Sequence, residues 1–245
     1  MSTSGPSADR VPGPPSSRFG GWAAIVFSLA ALVWFGTEAS VAAIGGIDAD
    51  DAVATLAFVT AHPLPWNISG FALIGMALAL IPASLAASDA LSSADRASAH
   101  LGARSLAALG VITAALFFFM GVLRETAGPL AYIAEIDATS GVAAAAALVV
   151  VGAHGAAQGA VFAMCIWAVG IGILGLRTRT LPVWLCVLAV IPAVRIVILL
   201  LGPLGALPDW TWFIAVAVIP LTLLWPLALG IALLRLRRSG SGRAG

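Results

Sequence analysis

Glu38 and Arg195 stand inside long apolar runs, where a charge is expensive and needs a reason. Each lies about six residues from the arginine-poor end of its run, a depth of roughly 9 Å at the helical rise. Equal depth and opposite charge lead to the expectation that the two pair across a helix bundle, each lowering the desolvation penalty of the other. As a structural ion pair they would fix helix packing. As a functional pair they would gate or bind something entering from outside. Separated from its partner, Glu38 would suit a general acid or proton carrier, and Trp34, one turn away, would offer an aromatic face to a cation.

A second polar group falls on one helical face: His154 and Gln158 at i, i+4, with Cys165 farther along the same side. Beside it, Gly155, Gly159 and Ala163 form a small-residue row of the kind that lets membrane helices approach closely, within one chain or with a homo-oligomeric or other membrane partner. His62 and His154 fall on one side of the membrane and His100 on the other, with no paired His or Cys spacing, so no metal site is expected. Asp48, Asp50, Asp51, Glu125, Glu135, Asp137 and Asp209 make an acidic rim, read as solvated surface or as a field that attracts cations. No Walker motif, dinucleotide fingerprint, HExxH or GxSxG occurs in a usable context, and no cofactor is expected. The chain has no lysine, which excludes Schiff-base chemistry.

The elements that position these residues follow from composition. Of 245 residues, 61% are hydrophobic and 9% charged, too apolar for a water-soluble fold. The expected fold is therefore all-α, a polytopic transmembrane bundle, because helices pair every backbone group internally and the alternation of a barrel is absent. Six spans are expected at 22–44, 66–87, 106–123, 155–176, 181–201 and 212–234, each near the ~20 residues that cross a ~30 Å core. The first run is read as a retained helix, although residues 38–42 resemble a signal-peptide cleavage region. Residues 1–20, rich in Ser, Pro and Gly, are read as a disordered cytoplasmic tail, 21–236 as the membrane domain and 237–245 as a basic cytoplasmic tail. The Ala-rich segment 141–154 is expected to extend the fourth helix, with a surface or re-entrant piece as the alternative. The stretch 128–133 is expected to be an apolar loop at the membrane interface. Ile81-Pro82-Ala83 and Ile191-Pro192-Ala193 hint at an inverted repeat. Cys165 and Cys186 sit at different depths, by about 9 Å, too far for the ~7 Å limit of a disulfide, so both are expected free.

Orientation comes from arginine. Arg10, Arg18, Arg96, Arg104, Arg177, Arg179, Arg235, Arg237, Arg238 and Arg243 fall on one side of six alternating spans, and only Arg124 on the other. Both termini are therefore expected in the cytoplasm of a plasma-membrane protein. A net charge of +1 gives no basic surface for nucleic acid.

The Ser/Pro tail, the loop at 88–104, the segment Leu174-Gly175-Leu176-Arg177-Thr178-Arg179-Thr180-Leu181-Pro182-Val183-Trp184 and the ending from Leu224-Trp225-Pro226 to Arg238 resemble small multi-pass membrane proteins abundant in high-GC actinobacterial genomes. That resemblance implies a six-helix fold and no particular activity. The leading functional expectation is binding or transport of a small molecule or ion through an outward-facing polar cavity near Glu38, Arg195 and His154. One alternative is a membrane enzyme acting on a lipid or isoprenoid, with Glu38 as acid and Asp209 as the second carboxyl. Another is a non-catalytic accessory subunit. Reporter fusions after Arg104 and after Arg238 should both read cytoplasmic; an external C-terminus would overturn the six-span topology.

Overall fold

A computed structural model describes residues 16–44, 52–92, 97–136, 140–201, 208 and 211–241. All its regular elements are helical: α1 (Ser16–Ile44), α2 (Ala52–Ala61), α3 (Pro63–Ser92), α4 (Ala97–Ile136), α5 (Ser140–Thr178), α6 (Val183–Leu188), α7 (Val190–Leu201) and α8 (Thr211–Ser241). Six stretches are long and apolar enough to cross a membrane: Arg18–Val41, Pro63–Ser92, Ala99–Ala127, Ala156–Thr178, Val183–Leu201 and Ala217–Arg235. The outward faces explain why water is the wrong solvent. On α3, Phe71, Leu78 and Leu85 are exposed in a stripe, while Leu73, Met76, Leu80 and Ala83 on the other side are buried. A monomer in water rarely shows apolar surface on this scale. The chain is an integral, multi-pass membrane protein.

The spans form a closed ring. α1 packs on α3, α3 on α4, α4 on α5, α5 on α6 and α7, and α7 on α8, which returns to α1. α3 also touches α5 and α8 across the ring. The main core runs through its centre, with Phe27, Leu73, Leu80, Phe117, Met164 and Trp167 fully buried.

At the arginine-rich end the helices meet backbone to backbone. A Cβ on Gly20 would collide with Ala86 of α3, and one on Gly230 would stand 2.6 Å from the carbonyl oxygen of Gly21. Ser28 Oγ donates to the Leu223 carbonyl at 3.2 Å, tying α1 to α8 in the stretch between Pro220 and Pro226.

The fifth span is broken. Ala189 N–H bonds the Cys186 carbonyl rather than continuing the α-helical ladder, and Pro192 has no N–H to offer Leu188. The Leu185 carbonyl is met instead by Trp225 Nε1 of α8, at 3.4 Å, and the Trp225 ring packs edge-on against Trp167. Pro82, by contrast, stays inside a continuous α3, so the two Ile-Pro-Ala motifs take different conformations. The inverted repeat finds no support there.

Several sequence boundaries move. α1 begins at Ser16, within the expected tail, and α8 runs on to Ser241, into the expected basic tail. Segment 141–154 belongs to one long helix, α5, as expected, whereas 128–133 is helical rather than a loop because α4 continues through Pro129. α4 and α5 are each about 60 Å long, twice a ~30 Å core, and they overhang the arginine-poor end as a helical hairpin. α2 packs against both. Cys165 and Cys186 are free and buried.

Glycine environment sets opposite responses to one methyl group. Gly36 meets nothing within 4 Å, so Gly36→Ala should raise the melting temperature in detergent, as helix propensity favours Ala by about 1 kcal/mol. Gly230→Ala should lower it by forcing α1 and α8 apart, an overpacking penalty of about 1–3 kcal/mol. Equal shifts for the two variants would contradict this packing.

Candidate functional site

Three charged residues of the arginine-poor half, Glu38, Arg124 and Glu125, meet where α1, α3 and α4 converge. Glu38 reaches across to Arg124 of α4, with Arg124 Nη1 2.5 Å from Glu38 Oε1. The same carboxylate oxygen accepts from Ser69 Oγ of α3 at 2.7 Å. Arg124 lies over the ring of Trp66, its Cζ 4.2 Å from the centroid, and Trp66 Nε1 donates back to the Arg124 carbonyl at 2.7 Å. The Trp66 side chain thus supports the guanidinium with its face and anchors the helix that carries it with its edge.

This arrangement follows from helix geometry. Trp66, Ser69 and Gly70 are spaced i, i+3, i+4, so they form one patch on α3. Ser69 binds Glu38 of α1, whereas Gly70 receives the side chain of Glu125 from α4: a Cβ at Gly70 would collide with Glu125 Oε1. A second carboxylate is therefore seated on α3 beside the first. Val59 of α2 packs with Trp66 and Ala127 over the outer side of this patch.

Exposure differs sharply among these groups. Arg124 is 5% exposed and Glu38 is 30% exposed, and Glu125 is half-buried. The cation is covered by its partners, while both acidic residues are partly exposed. Two acids and one arginine leave a formal charge of −1. Deeper in, Trp34 is buried one turn from Glu38 on the same face, and its Nε1 has no hydrogen-bond partner.

The expected partnership of Glu38 with Arg195 is corrected. α1 contacts α3 and α8, and α7 contacts α5 and α8, so α8 separates the helices that carry the two residues. Equal depth is not adjacency in a ring. Arg195 is buried on α7, which packs against α5 and α8. Gln158 is exposed, and the side chain of His154 and all of Asp209 lie outside the described residues. Gly159 faces Leu116 of α4, so this part of the small-residue row is covered within the chain. Among the described residues, no group of three or more His, Cys, Asp or Glu side chains forms a metal-binding cluster.

Sequence reasoning missed Arg124, Ser69, Trp66 and Glu125. One signal pointed to them: Arg124 was the lone arginine on the wrong side of the charge count. An arginine that breaks the positive-inside pattern is explained when it is buried and paired rather than a loop residue.

Compared with known protein families, curated proteins and solved structures, the chain matches none.

A double-mutant cycle tests the site. Glu38→Gln and Arg124→Leu should each destabilise the protein in detergent by between the ~1 kcal/mol of an exposed pair and the ~3–5 kcal/mol of a buried one, because Glu38 is partly exposed. The double variant should recover part of the loss. Glu38→Gln with Arg195→Leu should instead be additive, since α8 separates the helices that carry them; coupling there would contradict the helix order.

Proposed function

We propose that the protein binds, and carries across the cell membrane, a small positively charged molecule or ion that enters from the arginine-poor side. The observation that carries this reading is the unequal exposure of the Glu38–Arg124–Glu125 group. Arg124 is enclosed by Trp66 and by its own carboxylate partner, so an approaching solute meets acidic oxygens rather than the guanidinium. With two acids to one arginine, the group has a negative charge for an incoming cation to balance. The acidic residues of the loops on that side add a field of the same sign.

The bundle supports movement as well as binding. The fifth span is interrupted between α6 and α7, and α8 contains Pro220 and Pro226, so the helices opposite the site have weakened backbone ladders. Transporters place broken helices in this way where segments must rearrange around a bound solute.

The test is thermal stabilisation of the purified full chain in lipid nanodiscs. Sodium, potassium, tetramethylammonium and choline chlorides are titrated at constant ionic strength, with the bulky cation N-methylglucamine as replacement. At least one of the four should raise the melting temperature in a saturable way, since a ligand that binds only the folded state stabilises it by mass action. Acetate or phosphate in place of chloride should leave the response unchanged. A response set by the anion, or none to any cation, would overturn the reading.

A further inference from the structure

We infer that Glu125, seated on Gly70, is the carboxylate that takes up the positive charge of the solute, and that Glu38 with Arg124 is the clamp that holds this seat open. The inference rests on the cation-binding reading above and names the residue and the charge class that satisfy it: a single positive charge, on a metal ion or on an organic ammonium group.

Three observations separate the two carboxylates. First, Glu38 is already served, with Oε1 accepting from both Arg124 Nη1 and Ser69 Oγ. A cation arriving there would have to compete with an arginine held by a tryptophan face. Second, Glu125 Oε1 is buried and has no hydrogen-bond partner. It lies where a Cβ on Gly70 would stand, against a residue with no side-chain donor to offer, and a buried carboxylate oxygen without a donor is strongly disfavoured unless something else meets it. Third, Arg124, the residue before Glu125 on α4 and only 5% exposed, has a further donor, Nε, without a partner. A hydrated cation, or an ammonium ion with a hydroxyl group, supplies both what the Glu125 oxygen lacks and what Arg124 Nε lacks. An anion supplies only the second.

Gly70 gives the seat its shape. Any side chain there would displace the Glu125 carboxylate from α3, whereas the other face of the same turn presents Ser69 to Glu38. The division between a structural acid and a solute-binding acid is thus built into two successive residues of α3.

The experiment repeats the nanodisc titration with variants, using sodium chloride and choline chloride as probes. Glu125→Gln should fold, because it removes a charge that has no buried donor, and should raise the half-saturating cation concentration by roughly tenfold or more. Gly70→Ala should do the same by moving the carboxylate. The double variant Glu38→Gln/Arg124→Leu removes the clamp but keeps the net charge of the group. Although less stable, it should retain a saturable cation response. Protection by sodium alone assigns the site to a metal ion, and protection by choline assigns it to an organic ammonium group; either supports the inference. A wild-type response that survives intact in Glu125→Gln and vanishes in the double variant would make Glu38 the ligand and overturn this inference alone. Failure of both probes on the wild type, with potassium and tetramethylammonium also silent, would overturn the cation reading itself.

Discussion

An arginine inside a bilayer has no bulk water to complete its hydrogen bonds, and the arginine-poor half of this protein is organised around that fact. Arg124 on α4 is met by a carboxylate from α1, by the face of a tryptophan from α3, and through its own carbonyl by the edge of the same tryptophan. Each contact comes from a different helix or a different surface of Trp66. Satisfying one guanidinium therefore sets the relative rotation of three spans. Ser69 completes the arrangement by bonding the carboxylate that Arg124 has drawn in.

The opposite end of the bundle holds together by another means. Gly20, Gly21 and Gly230 let α1 lie directly against α3 and α8, so dispersion and close backbone approach replace ion pairing. That end has no need of a polar clamp, and Arg18, Arg104, Arg177, Arg179 and Arg235 are exposed there, able to meet water and lipid headgroups. The division of labour is physical: tight apolar contact tolerates little motion, whereas a partly exposed ion pair can exchange partners. A solute site belongs at the second kind of end.

Between the two lies the broken fifth span. Pro192 removes one donor, Ala189 turns to Cys186, and the carbonyl of Leu185 is taken by Trp225 from α8. The indole thus makes a helix interruption tolerable within the membrane, where an unmatched carbonyl would be strongly disfavoured. Trp225 in turn stacks edge-on with Trp167, which links the interruption to the centre of the core.

The number, approximate limits and helical nature of the spans were legible in the sequence, because length of apolar run and placement of arginine are one-dimensional properties. So was the long α5, and so was Glu38 as a charge that required a partner. The identity of that partner was not. Depth along a span can be counted from the sequence, but neighbours around a ring cannot, and Arg195 at matching depth lies beyond α8. The apolar run stops at Leu123, which leaves Arg124 outside the expected span, whereas the helix continues to Ile136 and takes the arginine into the bundle. Glu125 gave no local sign of its seat, since nothing in its own segment indicates that Gly70, on another helix, would lie opposite. The sequence determined that Glu38, a charge inside an apolar run, had to find a partner; the tertiary structure decided that Arg124 and not Arg195 would be that partner, because pairing depends on helix order and rotation, which only packing sets.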